Sequence, residues 1–306
     1  IKQAAKKYKT IFMLSWSFPP EKFWPLGLTH KSNSGCINVL NRMNIYLSEL
    51  LCNVKNFHLI DSSILESKYK GNLHDPRLYA IGKIRYSINY QTYLGAKVLP
   101  IINATIKSSR KLIICDLDDT LWGGIIGDDG INGIKIGGNE PIGDAHLELQ
   151  SLLKSLKNRG IILAISSKNN EDTVLNAFAN NPNMLLKIND FSSMKINWED
   201  KAINVSVILK ELNLLPSSAI FLDDNPSERD RIKKSFPEII VPNLPKDVSL
   251  WSDIINNLNC FETLNISSED LQRTDLYINE NKRKKTAKNF IDINDWLNSL
   301  EIELLA

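Results

Sequence analysis

Acidic residues crowd into Cys115-Asp116-Leu117-Asp118-Asp119-Thr120, where an apolar run over 112–117 ends. Three carboxylates so close repel one another and cannot all be buried without a compensating charge. A divalent cation supplies one, and hard oxygen donors suit Mg2+. Asp116 and Asp118 lie on the same side of an extended chain, so both face one site. A second acidic pair, Asp223-Asp224, ends another apolar run, 219–222. Between the two, Ser166-Ser167-Lys168-Asn169-Asn170 precedes a helical pattern. Small hydroxyls and amides there, with the free N–H groups of a helix start, make an anion site, although the same residue types are also ordinary helix caps. Lys201 lies on the helical stretch before Asp223, and Lys195 is the competing cation. Acid pair, hydroxyl, lysine and acid pair in this order are far more specific together than singly.

These pieces need a scaffold that brings strand ends together. From residue 111 onward the sequence alternates between strand-length and helix-length patterns. Strands are predicted at 112–117, 161–166, 184–188, 219–222 and 239–241, and helices at 141–159, 171–180, 200–213 and 229–236. Pro141 suits a first helical turn and Gly160 a C-terminal cap. Ala145, Leu149, Leu152, Leu153 and Leu156 form an apolar stripe between them. Such alternation implies right-handed βαβ units on a parallel sheet, with the chemistry at the carboxyl ends of the strands. The fold class is therefore α/β, with three parts expected: an amino-terminal α/β extension (1–109), a catalytic domain (110–247) and a helical tail (248–306). In the tail, Ser267 and Asp270 resemble a capping box, and a further helix is predicted over 293–305.

Composition narrows the function classes. The chain has 306 residues, 43% hydrophobic and 24% charged, which is ordinary for a globular protein and leaves room for about two domains. Its net charge of +2 gives no global field toward nucleic acid. No apolar run approaches the roughly 20 residues of a bilayer helix, so no membrane is expected. Cys36, Cys52, Cys115 and Cys260 form no CxxC pair, which argues against a disulfide framework or zinc site and for a cytoplasmic setting. The first residue is Ile rather than Met, as expected of a segment cut from a longer polypeptide.

The motif set resembles the haloacid dehalogenase (HAD) superfamily of phosphotransferases. Residues 116–130, Ser167-Lys168-Asn169-Asn170-Glu171, Asn197-Trp198-Glu199-Asp200-Lys201 and 221–229 are similar to its FkbH-like branch, which loads glycerate-derived units in polyketide biosynthesis. The resemblance runs from about 111 to 275. It implies a Rossmannoid parallel sheet without a large cap, and a weaker likeness of 1–109 to a fragment of an SGNH-hydrolase fold. By the same resemblance, Asp116 is the nucleophile, Asp118 the general acid/base, Ser167 (rather than Ser166) the phosphoryl-binding hydroxyl and Lys201 the balancing cation. Mg2+ is implied at Asp116, Asp118 (through its carbonyl), Asp223 and Asp224. Thr120, Trp122, Gly123, Gly124, Lys168, Asn169 and Asn225 are the residues expected on the substrate side, Trp122 either walling the pocket or packing beneath it. Seven of the 14 glycines fall between Gly123 and Gly138, as in a flap over a small site or a plain hairpin loop.

The implied activity is transfer of a three-carbon acyl unit, glyceryl or lactyl, from 1,3-bisphosphoglycerate to the phosphopantetheine arm of an acyl carrier protein, with removal of phosphate. A plain Mg2+-dependent phosphatase and a non-catalytic docking module of a synthase are the alternatives. Cys115 is the candidate acyl-accepting thiol, but one residue before Asp116 it should point to the opposite strand face. His74 beside Asp75 is expected to have a structural or docking role rather than that of a hydrolase dyad, because adjacent residues point apart on an extended chain and no Gly-x-Ser-x-Gly elbow accompanies it in 1–109. The run Lys282-Arg283-Lys284-Lys285 with Lys288 is either a solvated helix face or a landing patch for an acidic carrier.

Overall fold

A computed structural model describes residues 1–18, 24–106 and 109–288, and the chain divides into two compact units, Ile1–Ile106 and Lys107–Ala306. In the first unit, β1 (Ile11–Leu14) and β2 (Phe57–Ile60) pair in parallel, joined through the helix Cys36–Leu51. The Asp61 carboxylate after β2 accepts the Ser63 and Ile64 N–H groups and so starts the helix Ser62–Lys68. His74 and Asp75 serve separate structural tasks. His74 Nδ1 bonds the Arg85 carbonyl at 2.9 Å, while Asp75 caps the helix Pro76–Gly82 and pairs with Arg77.

The second unit is built on four parallel strands: β3 (Leu112–Cys115), β4 (Ile162–Ser167), β5 (Phe191–Ile196) and β6 (Ala219–Leu222), in the order β5-β4-β3-β6. The chain runs outward from β3 through β4 to β5, then crosses back to place β6 on the other side of β3. That reversal opens a crevice at the carboxyl end of β3, where open α/β sheets bind their ligands. Every residue of β3 is buried, as a strand covered on both faces requires. Ile113 and Cys115 pack with Leu149 and Leu153 of the helix Pro141–Asn158 and with Phe178 of the helix Glu171–Asn180. Leu112 and Ile114 face the opposite layer, with Val205 and Ile208 of the helix Lys201–Glu211 and with Ile232 of the helix Pro226–Ser235. The tail contains the helices Trp251–Asn256 and Ser268–Lys288. Ser267 and Asp270 form the expected reciprocal cap: the Ser267 N–H donates to Asp270 Oδ2 and the Asp270 N–H to Ser267 Oγ. The helix predicted over 293–305 lies outside the described residues. No helix among the described residues is long and apolar enough to cross a membrane.

Two strand expectations need correction. The apolar segment 184–188 is no strand; β5 begins at Phe191, after a 3-10 turn over Ile188–Asp190. The reason is a buried glutamine. Gln150 Oε1 accepts the N–H groups of Leu185 and Leu186, and its Nε2 donates to the Leu121 carbonyl, so the backbone is satisfied without a sheet partner. The true edge strand reads as polar because Ser193 and Lys195 turn toward Glu211. The predicted strand at 239–241 shrinks to one parallel bridge, Ile220 to Ile240. Pro237 and Pro242 flank it and offer no N–H to extend the ladder.

Asp190 fixes where β5 begins. It is buried, its Oδ2 accepts the Lys187 N–H, and both Lys154 and Lys157 of the helix Pro141–Asn158 reach it, at 2.5 and 3.3 Å. Burial alone pushes its carboxyl up, but these donors outweigh it and hold the group below its ordinary value. A depressed carboxylate stabilises the fold above its unfolded value of about 3.9 and stops doing so as pH falls through its folded value. Asp190→Asn is therefore expected to cost about 2 kcal/mol at pH 7. In chemical denaturation across pH, that difference from the wild type should close progressively as the medium is acidified below about pH 4.

Candidate active site

The carboxyl ends of β3, β4 and β6 lie side by side, and the residues singled out from the sequence converge there. Asp116 follows β3 directly, its N–H donating to the Leu222 carbonyl across to β6. Asp223, completely buried, follows β6 and turns its Oδ1 to the Asn225 N–H. Lys201 stands between them. Asp200 caps its helix by accepting the Ala202 N–H, and this directs the lysine inward as the first helical residue. The buried Lys201 ammonium lies 2.9 Å from Asp116 Oδ2 and 2.5 Å from Asp223 Oδ2. Lys195, the alternative cation, pairs instead with Glu211 at 2.5 Å, on the sheet edge.

One lysine does not balance this cluster. Asp116, Asp223 and Asp224 each bring an oxygen within 4.8 Å of the others. Burial, with Asp116 next, pushes the Asp223 carboxyl up to about 7 even against the lysine. Asp224 is raised for the same two reasons. Burial disfavours charge on Lys201, yet the two carboxylates outweigh it and raise the ammonium above its ordinary value. Asp116 Oδ1 is buried with no hydrogen-bond partner. An orphaned carboxylate oxygen beside two further carboxylates is a donor set for a hard divalent cation, so the residues fit the ion that the sequence implies. Among the acidic side chains expected at that ion, the carboxylate of Asp118 stands apart from the three-oxygen cluster.

Asp118 is held elsewhere. Its Oδ1 accepts from the Trp122 indole (2.9 Å) and the Ile126 N–H (3.0 Å), and its Oδ2 from Asn169 Nδ2 (3.0 Å). Asn169 also donates to Ser167 Oγ at 3.1 Å, so the hydroxyl and the acid share one amide. Ser167 lines the candidate catalytic cleft, a space of about 450 Å3; Lys168, Asn169 and Asn225 line it too. Ser166 Oγ, one residue back, is buried without a partner. Lys168 bridges part of the mouth by pairing with Glu228 at 2.7 Å.

The other substrate-side expectations fall beneath the cleft rather than on its wall. Thr120 is fully buried, its Oγ1 accepting the Asp224 N–H at 3.0 Å. Trp122 is fully buried and packs edge-on against Phe178, so of its two readings the structure has the packing one, with its N–H on Asp118. Gly123 pairs with Lys135 through two backbone hydrogen bonds that close an excursion carrying the helix Ile126–Gly133. Gly124, at φ +91, donates its N–H to Asp119 Oδ1; a side chain there would be strained. The tip of this excursion supplies Ile125, Gly127 and Asp128 to the cleft. Cys115 is completely buried in the core layer of Leu149 and Phe178.

Sequence reasoning passed over two residues. Arg229 donates to the carbonyls of Asp223, Asp224 and Leu244 and fixes the acidic loop from below. Its signal was an arginine in the first turn after Asn225-Pro226, able to reach back to the preceding loop. Trp198 lines the cleft with 76% of its surface exposed, an aromatic in a polar segment.

No family model matches the sequence, and no curated protein matches it. Among solved structures, the N-terminal part of the protein BF1531 from Bacteroides fragilis, which contains a phosphatase domain and was crystallised with Mg, is 34% identical. The match covers 83% of this chain and 68% of that one, with a TM-score of 0.75. A 3-deoxy-D-manno-octulosonate 8-phosphate phosphatase from Moraxella catarrhalis, with magnesium, phosphate and KDO, is 17% identical over 63% of this chain and 97% of its own, with a TM-score of 0.29.

Two outcomes follow from the charge balance and from the cysteine. A carboxyl raised from about 3.9 unfolded to about 7 folded stabilises the fold fully at low pH, and that contribution is lost as pH rises through the folded value. In chelator, Asp223→Asn should therefore gain stability relative to the wild type between about pH 4 and 7. A saturating divalent cation should reverse the order. Thermal melts with and without the cation read both. Burial, with Asp116 next, pushes the Cys115 thiol up to about 12, so it carries almost no thiolate at neutral pH. Mass mapping after a thiol reagent at pH 8 should show exposed Cys52 labelled in the native protein and Cys115 labelled only after unfolding.

Proposed function

Because this chain belongs to the HAD superfamily, sharing 34% identity with a Mg-bound phosphatase domain over most of both chains, we propose that its Mg2+-dependent phosphatase chemistry serves acyl transfer to a carrier. The observation that carries the phosphoryl part is the Lys201 bridge between Asp116 and Asp223, with Asp116 Oδ1 left unpartnered. Asp116, Asp223 and Asp224 hold Mg2+, with the Asp118 carbonyl as a further donor; when bound, the ion offsets the repulsion between carboxylate and phosphate.

Asp116 attacks phosphorus, and the bond from phosphorus to the leaving oxygen breaks while Asp118 protonates that oxygen. Water then attacks the aspartyl-phosphate, gives its proton to Asp118 and restores Asp116. Ser167 and Lys201 carry the hydrogen bonds and charge of the transferring phosphoryl oxygens. Asn169 is a positioning residue, since its amide holds both Ser167 and Asp118.

The finer reading is FkbH-like, and it rests on the motifs at 116–130, 167–171, 197–201 and 221–229. The donor is 1,3-bisphosphoglycerate. The phosphopantetheine thiol of an acyl carrier protein attacks its C1 carbonyl carbon. The bond from that carbon to the phosphate oxygen breaks, and the departing phosphate takes the electron pair and the thiol proton. The C3 phosphate is then removed in the catalytic cleft, leaving a glyceryl thioester. The open site supports a substrate tethered to a protein: among the described residues after β3, the largest inserted element is the short helix Ile126–Gly133. Cys115, buried and on the core side of β3, takes no part. The likeness to a phosphatase domain favours a second reading, a plain phosphatase without a carrier.

The test is intact-protein mass spectrometry of the carrier beside free phosphate, with enzyme, Mg2+ and 1,3-bisphosphoglycerate. The carrier should gain the glyceryl mass. Asp116→Asn should lower release of the C3 phosphate by about a thousandfold or more and leave the carrier bearing the still-phosphorylated unit. Phosphate release with no carrier mass gain leaves the plain phosphatase, and no turnover of any phosphate ester leaves a docking module.

A further inference from the structure

A second cleft, of about 710 Å3, opens on the other side of the acidic loops, and the phosphoryl chemistry does not use it. It meets the catalytic cleft at Asp119 and Asp224, which line both. Its walls are mainly apolar: Pro141 and Ile142 at the start of the helix Pro141–Asn158, Pro226 opposite, and Pro245 and Val248 along the far side. The walls are fixed in place. Arg229 ties the Leu244 carbonyl to those of Asp223 and Asp224, and the Trp251 indole donates to the Pro245 carbonyl at 2.7 Å. This volume lies within the range of about 300–1,000 Å3 that small ligands occupy.

Its polar residues include one histidine and one exposed lysine. His146 is almost fully buried in the wall: its Nδ1 bonds the Thr120 carbonyl and its Nε2 lies against Gly123. Lys246 is exposed and forms no ion pair among the described residues. Its neighbour Asp247 accepts from the Ser249 N–H and hydroxyl. The cleft thus suits a mostly apolar chain that carries an anion near Lys246.

Resting on the function proposed above, we infer that this second cleft admits the phosphopantetheine arm of the carrier, its phosphate at Lys246 and its thiol end at the Asp119–Asp224 junction. The arm and the phosphorylated end of the substrate then enter by separate clefts and meet at the acidic loops. Neither has to displace the other.

Ile142 is half exposed at a helix start and takes no part in the catalytic cleft, so Ile142→Trp fills the second cleft without disturbing the core. Three readings are needed: calorimetric titration with free 4′-phosphopantetheine, phosphate release from a small aryl phosphate, and carrier acylation. Ile142→Trp should weaken phosphopantetheine binding and carrier acylation tenfold or more while changing aryl phosphate turnover less than twofold. Lys246→Glu should weaken phosphopantetheine binding but not that of pantetheine lacking the phosphate. Wild-type binding and acylation retained in Ile142→Trp would overturn the assignment and leave the transfer reaction standing. A wild-type protein that acylates no carrier would remove the transfer reaction, and the cleft would then be judged by the titration alone: saturable binding lost in Ile142→Trp upholds it, and no binding overturns it.

Discussion

An excess of buried negative charge at the carboxyl end of β3 is the constraint that the rest of the site answers. Asp116, Asp223 and Asp224 converge on one point, and Lys201 offsets only part of their charge. Carboxylates in such surroundings either take up protons or recruit a cation. Much of the surrounding sequence keeps them in place without neutralising them. Thr120 supports Asp224, Asn225 supports Asp223, and Arg229 binds the carbonyls rather than the acids themselves. The cluster therefore stays poised for a divalent cation and for a phosphate that needs one.

Within this arrangement the two members of the first acidic pair have different surroundings. Asp116 keeps an oxygen free of hydrogen bonds, which suits the attack on phosphorus proposed for it. Asp118 is gripped by Trp122, Ile126 and Asn169, which fix its orientation beside Ser167. Thr120 and Trp122, which the sequence suggests on the substrate side, thus act one layer below, as supports for the acids. The glycines after β3 follow the same logic, since the Gly123–Lys135 closure carries Ile125 and Asp128 to the cleft.

The sequence made the site more legible than the sheet. Acid pairs at strand ends can be read directly, because an apolar run that stops at clustered aspartates carries charge to the edge of a core that excludes it. Lys201 was legible through its family motif, and the structure adds the Asp200 cap that directs it. Edge elements were harder. The run over 184–188 looks like a strand by composition, but Gln150, more than thirty residues earlier, satisfies its backbone. No local pattern reports such a distant partner. Conversely, β5 hides behind Ser193 and Lys195, which are polar because they face Glu211 at the sheet edge. The second cleft was invisible for the same reason: its walls come from four separate stretches.

The central claim is that Asp116 attacks phosphorus while Lys201 and Ser167 receive the phosphoryl oxygens beside a divalent cation. A crystal structure with Mg2+ and beryllofluoride, a mimic of a phosphorylated aspartate, tests it most directly. The account predicts beryllium bonded to the Asp116 carboxylate, fluorines within hydrogen-bond reach of Lys201 and Ser167, and one Mg2+ held by Asp116 and Asp223. Beryllofluoride bonded to Asp118, or a cation seated away from Asp116 and Asp223, would contradict it.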